Sequence, residues 1–394
     1  MKATTKPQLF YAAAVAAVFA ARLMAQVGGA YPITSVIRNS KASGPGVSAS
    51  NRAATFVTFD APGALWTYAW SINASGQVAG FYLDTNGVAH GFLRDSDGAI
   101  GTFDVPEAGT AENQGTLGYS INSTGEIAGS YIDENSARHG YVRAADGAIT
   151  TFEVPVAGLG TIVTCISAGG ATTGFYVDTN GVNHGFVRSA RGGIIKFDAP
   201  GAGGSRDQGT TAESISQTGV ITGFYVDANM VSHGFSRAVG GSITTIDAPG
   251  AGTASYQGTT ASSIDSAGTI SGSYADPENV VHAFLRDASG MFTEFQIPRS
   301  PSAYEGTFPV GLNASGSVSG WWESTSNVSH GFIRIPNGKT TSFDAPGAGT
   351  YQGGGTKPTS INTSMYVTGY FFDPSGNVHS FVRIPAGGGH NNID

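Results

Sequence analysis

The sequence predicts an all-β protein assembled from seven copies of one four-strand unit, and three observations carry that expectation. The 394-residue chain holds 58 Gly and only 12% charged residues, a mix that suits many tight turns and few surface helices. Beyond the first thirty residues helical periodicity is absent, and short alternating runs rich in Val, Ile, Thr, Phe and Tyr take its place. A fixed polar pattern also returns along the chain, as in a repeat architecture.

Histidines mark that pattern: His90, His139, His184, His233, His282, His330 and His379, at spacings of 49, 45, 49, 49, 48 and 49. Only His390 stands outside. Four residues after each histidine comes an arginine (Arg94, Arg143, Arg188, Arg237, Arg286, Arg334, Arg383), and ten before it a glycine (Gly80, Gly129, Gly174, Gly223, Gly272, Gly320, Gly369). Two residues after that glycine sits an aromatic: Tyr82, Tyr131, Tyr176, Tyr225, Tyr274, Trp322 or Phe371.

Each unit reads as four strands. The first ends near S-I-N, as at Ser120–Asn122. The turn after it ends on Gly in six of seven copies, where a positive φ is expected. A second strand like VITGFYVD (220–227) leads through a D-x-N-G turn into the third, HGFxR. The fourth, like SITTIDAP (242–249), stops at a recurring proline, which cannot donate to a sheet ladder.

The seventh unit lacks its own fourth strand, whereas one such strand, FVTFDAP (56–62), precedes the first unit. A circular structure accounts for this offset, because the N-terminal strand completes the last sheet. The expected architecture is therefore a seven-bladed β-propeller over 55–385, with four antiparallel strands per blade. An extended β-repeat array is the alternative.

The Asp, His and Arg of YVDTNGVNHGFVR (176–188) would suggest a catalytic or metal site if they occurred once. Their sevenfold recurrence reads as blade packing. If Asp84 opposes Val88, then Tyr82 opposes His90 and Gly80 opposes Phe92, which makes room for the ring. Equivalent histidines on adjacent blades would lie about 15 Å apart, at about 4.8 Å per strand, whereas zinc ligands sit at about 2 Å. The Asp of each turn (Asp84, Asp133, Asp178, Asp227, Asp276, Asp373, with Ser324 as the exception) suits local backbone bonding. These acids could also serve calcium, but each turn offers far fewer than the six or so oxygens required. No cofactor is expected. PGAGT has no following helix to make it a phosphate loop.

Lys2 and Lys6 precede the apolar LFYAAAVAAVFAARLMA, which reads as a secretory signal peptide over 1–25. A flexible lead (26–54) and a C-terminal tail (386–394) flank the repeats. Loss of Lys2, Lys6 and Arg22 takes the formal charge from −8 to −11. That acidity disfavours nucleic acid as a partner. Cys165 is alone, so no intrachain disulfide forms. The mature chain is expected to be secreted (extracellular, periplasmic or at the cell surface), without a membrane span, and monomeric.

The stretch VHAFLRDASGMFTEF (281–295), with INSTGEIAG (121–129) and LNASGSVSG (312–320), resembles the extracellular HAF-repeat family. The resemblance covers 56–383 and implies a secreted repeat protein with no assigned chemistry.

If the repeated columns are scaffold, function belongs where the repeats differ. The connections between blades vary in length and share a face with the D-x-N-G turns. Candidate ligand-binding residues there are Trp66, Tyr68 and Trp70 on the first connection, Arg206 and Asp207 on the fourth, and Arg299, Tyr304 and Glu305 on the sixth. Such aromatics beside charged groups suit a glycan or a peptide. A non-catalytic binding role is favoured; the alternative is a glycan or lactone lyase or hydrolase using the same face.

Overall fold

The computed structural model describes residues 54–155, 158–297 and 306–387. The expected signal segment, all but the last residue of the lead, the tail beyond Gly387, and Arg299, Tyr304 and Glu305 lie outside them. Among the described residues there are 28 strands and no helix. A lone strand, β1 (Thr55–Phe59), comes first, and the first unit follows as β2 (Trp66–Ile72), β3 (Val78–Leu83), β4 (Ala89–Arg94) and β5 (Ile100–Phe103). The second is β6 (Gly115–Ile121), β7 (Ile127–Ile132), β8 (Arg138–Arg143) and β9 (Ile149–Phe152); the third is β10 (Gly160–Ile166), β11 (Thr172–Val177), β12 (Asn183–Arg188) and β13 (Ile194–Phe197). Next come β14 (Gly209–Ile215), β15 (Ile221–Val226), β16 (Ser232–Arg237) and β17 (Ile243–Ile246), then β18 (Gly258–Ile264), β19 (Ile270–Ala275), β20 (Val281–Arg286) and β21 (Phe292–Phe295). The sixth unit is β22 (Thr307–Leu312), β23 (Val318–Glu323), β24 (Ser329–Arg334) and β25 (Thr340–Phe343); the last three strands are β26 (Gly355–Ile361), β27 (Val367–Phe372) and β28 (Val378–Ile384).

Within each unit neighbouring strands pair antiparallel. The expected register holds: Tyr82 faces His90 and Gly80 faces Phe92 between β3 and β4. Turn chemistry fixes this register, because one Asp84 carboxylate oxygen accepts the backbone N–H groups of Asn86 (2.8 Å) and Val88 (2.9 Å). The S-I-N turns end on residues with positive φ, among them Gly125 (85°) and, in the copy without glycine, Met365 (64°). The fourth strands end short of the recurrent proline, at Phe103 before Pro106 in the first unit.

The core follows from the glycine–aromatic pairs. Phe92, Tyr141, Phe186, Phe235, Phe284, Phe332 and Phe381 are the largest fully buried side chains. A Cβ on Gly80 would collide with the Tyr68 carbonyl oxygen and with the Phe92 ring, so only glycine fits there. Successive units are tied by threonines at the start of each first strand. Thr210 Oγ1 accepts the Ala199 N–H at 2.9 Å, and Thr116, Thr259 and Thr356 repeat the bond.

The polar columns pack as expected. His184 stacks on Tyr176, with centroids 4.9 Å apart, while its Nδ1 lies 2.9 Å from Asp198. Arg188 reaches the preceding unit and lies 4.8 Å from the Phe152 ring centroid, a cation–π contact repeated by Arg94, Arg143, Arg237, Arg334 and Arg383. Arg286 falls opposite Ile246 instead of a phenylalanine, and the described residues give it no such contact.

The two ends of the described chain meet. β1 pairs antiparallel with β28 from Thr55↔Ile384 to Phe59↔Ser380. His379 Nδ1 sits 2.8 Å from Asp60, the same contact that His184 makes with Asp198 inside its own unit. Ser380 Oγ donates to the Thr67 carbonyl at 3.0 Å, and Thr359 Oγ1 to the Ala69 carbonyl at 3.0 Å.

Candidate functional site

The first strand of every unit carries a β-bulge at one fixed position. The β2–β3 ladder passes from Ala69 to Ser71 and leaves Trp70 unpaired. Tyr119, Thr164, Glu213, Ser262, Val310 and Thr359 are passed over in the same way. A bulge re-aims the extra side chain, and all seven of these residues line one cavity of about 190 Å³. This column sits directly before S-I-N and holds six residue types in seven copies, as does the column two residues earlier, which starts at Tyr68.

One side of the cavity is aromatic. Trp70 meets Tyr119 edge to face at 5.6 Å and Phe81 at 6.1 Å. Tyr68 stacks on Phe81 (5.0 Å) and meets Tyr370 edge to face (5.2 Å). Phe308 and Trp321 form a second stacked pair at 5.5 Å, and Phe224 also lines the space. Hydroxyls line it as well, including Ser214, Thr260, Ser262, Ser263 and Ser273.

Glu213 is the acid among these lining residues, and its only titratable companions there are Tyr119 and Cys165. Burial disfavours the charged carboxylate and pushes the Glu213 pKa up to about 8. Burial likewise pushes up the Cys165 thiol and the Tyr119 phenol. Thr164 and Thr359 satisfy their hydroxyls on strand carbonyls, at Ala212 (2.9 Å) and Ala69 (3.0 Å).

Beyond the bulges four strands run into a chain of side-chain amides. Asn73 Nδ2 donates to the Asn122 carbonyl (3.1 Å), Asn122 Nδ2 to that of Ser167 (3.1 Å), Asn313 Nδ2 to that of Asn362 (2.8 Å), and Asn362 Nδ2 to that of Asn73 (3.0 Å). Ser167, Ser216 and Asp265 replace asparagine in the remaining copies.

The sequence-derived candidates separate. Trp66, Tyr68 and Trp70 lie on the strand β2 and not on a connection, because the first connection is short and pairing begins at Trp66. Tyr68 is buried in the aromatic cluster, Trp66 packs on its edge, and Trp70 faces the cavity. Arg206 and Asp207 are exposed on the connection before β14. That connection does share a face with the D-x-N-G turns, for the Asp207 N–H donates to the Gly181 carbonyl at 3.1 Å. The structure brings Trp70 and Tyr68 together around Phe81 and leaves Arg206 and Asp207 exposed beside the turn at Gly181.

Two further charged residues stand out. Where other interfaces between units place apolar side chains, such as Leu83 against Leu117, the contact of β23 with β26 carries Glu323 and Lys357. The Lys357 ammonium lies 5.7 Å from the Trp321 ring centroid and 5.8 Å from that of Phe372. Burial lowers the Lys357 pKa and raises that of Glu323, and each charge partly offsets the other's shift. Among the described residues no group of three or more His, Cys, Asp or Glu side chains is arranged to hold a metal ion. No helix among them is long and apolar enough to cross a membrane.

No protein-family model matches the chain, and no curated protein matches it either. Among solved structures it is similar to a streptogramin B lyase, with a TM-score of 0.54 and 14% identity over 84% of this chain and 98% of that one. It is also similar to the BP39L lectin from Burkholderia pseudomallei, with a TM-score of 0.49 and 10% identity over 81% of this chain and 99% of that one. At 14% identity the likeness to the lyase speaks to the fold alone.

Proposed function

We propose that this chain is a secreted, monomeric, seven-bladed β-propeller of the HAF-repeat type that binds a glycan or peptide at the mouth of its central channel and catalyses no reaction. The observation that carries this reading is the bulged column. Seven equivalent backbone positions turn Trp70, Tyr119, Thr164, Glu213, Ser262, Val310 and Thr359 into one cavity. A concave site with aromatic walls and a few convergent polar groups is the usual form of a ligand pocket.

Closure of the wheel is supported by β1, which supplies the fourth strand beside β28, and by the His379–Asp60 contact across that joint. Secretion is supported by the charged start and apolar run of residues 1–25. N-terminal sequencing of the exported chain should begin after Ala25, and its mass in solution should be that of one copy.

A second reading, a glycan or lactone lyase or hydrolase, draws on Glu213, a carboxylic acid held neutral at pH 7 inside the cavity. Such chemistry calls for a partner base. Among the described cavity residues there is no histidine, lysine or arginine beside it, which favours binding. Glycan and peptide arrays probed with the mature protein, with and without calcium, test the proposal. Binding should appear and should be lost in Trp70→Ala and Tyr119→Ala. Retained binding in both variants, or turnover of a bound glycan, would count against it.

A further inference from the structure

We propose that the cavity recognises a primary ammonium group, with Glu213 as its counter-charge and the rings of Trp70, Tyr119 and Phe224 as its walls. This deepens the reading of the cavity as a ligand site and rests on it. Four features point to this chemistry.

The first is that Glu213 has no partner. Among the described residues no hydrogen bond or ion pair reaches its carboxyl group, and the cavity lining contains no cationic side chain. Its side chain is only half-buried and opens onto the cavity, yet the surrounding protein disfavours its charge, so a carboxylate there gains from a counter-ion. The fold does not need an acid there either, since Thr164 and Thr359 fill the same position with hydroxyls bonded to strand carbonyls.

The second is the aromatic wall. The Trp70–Tyr119 pair is edge to face, and aromatic faces attract a desolvated cation. The third is the hydroxyl wall beside Glu213, where Ser262 and Ser263 can accept the remaining ammonium protons. The fourth is scale, because about 190 Å³ accommodates a short alkylamine or the end of a lysine side chain.

The protonation balance follows. Burial holds Glu213 protonated up to about pH 8, and Tyr119 on β6 and Cys165 on β10 are pushed up by burial too, so they stay neutral. Ser262 and Ser263 on β18 do not titrate. An alkylamine with a pKa of about 10.4 enters charged, and Glu213 gives up its proton to pair with it. Binding at pH 7 therefore releases about one proton, and affinity should rise about tenfold per pH unit until pH 8 and then level off.

Titration calorimetry of the folded protein with n-butylamine, n-butanol and butyrate, in buffers of different ionisation enthalpy, tests this. Butylamine should bind at least about tenfold more tightly than butanol, with proton release close to one at pH 7. Glu213→Gln, checked for its fold by near-ultraviolet circular dichroism, should bind both equally and release no proton. Equal binding of butylamine and butanol to the wild type, absence of proton release, or an ammonium preference surviving in Glu213→Gln would overturn the inference. If array binding persists and depends on Trp70 while butylamine shows no advantage, only the ammonium assignment fails. If none of the three probes binds and the arrays are also blank, the binding reading itself fails.

Discussion

On the third strand of every unit the same histidine lies against a cross-strand aromatic ring, stacked in six units and tilted at His379, whereas on the first strand no bulged residue is shared by more than two units. Both columns belong to the same repeat and to regular β-structure. They differ in what surrounds them. His184 is fixed by Tyr176 and Asp198 of its own unit, so the identity of that residue is tied to packing. Trp70 and Glu213 face a common space, where the backbone sets direction and leaves side-chain identity open. Uniformity thus marks the glue between strands, and the bulge marks the residues turned toward the common space.

The sharpest way to break this contrast is to damage each column in turn. Phe235, fully buried under Gly223, should cost about 3–5 kcal/mol when replaced by alanine. Trp70→Thr, which installs a residue found at the same position in two other units, should cost only about 1–2 kcal/mol while removing array binding. Chemical denaturation of both variants measures the difference, and equal losses would erase the distinction between scaffold and site.

A second contrast concerns pH. The folded pKa of Glu213 lies above its ordinary value, at about 8, so between those values the folded state holds a proton that the unfolded state has lost. Stability should then fall as pH rises towards 8, and Glu213→Gln should flatten that slope. Its melting temperature at pH 9 should exceed that of the wild type.

His379 supplies a smaller pH effect at the joint between β1 and β28. Its contact with Asp60 raises its pKa despite partial burial. That contribution is complete below the unfolded value of about 6.5 and disappears as pH rises through the folded one. His379→Gln should remove it, and hydrogen exchange should show the change first in β1. The smallest effect lies on the rim. Exposed Ser136 holds φ at 63° in a turn where the first, third and seventh copies have glycine. Ser136→Gly should gain up to about 1 kcal/mol, and a loss instead would mean that the hydroxyl itself matters.

Local chemistry made most of the scaffold legible. The D-x-N-G turns set two-strand register through Asp84 and its equivalents, so Tyr82↔His90 and Gly80↔Phe92 follow from residue spacing alone. The candidate site was less legible. Trp66, Tyr68 and Trp70 stand out by composition, yet the short connection before them could not be told from the start of β2 without its pairing partner. Glu213, Lys357 and Glu323 carry no motif. The available signal was the variable residue directly before S-I-N, in a strand that also varies two residues earlier.

What the sequence by itself determined is the repeat, its four strands, the cross-strand pairs and the displaced fourth strand at the N-terminus, because these depend on alternation and on turns a few residues long. Only the tertiary structure decided which variable residues face one another and which acid is held where its charge is disfavoured. A bulge turns a side chain only relative to its partner strand, and desolvation of Glu213 depends on residues contributed from one end of the repeat array to the other.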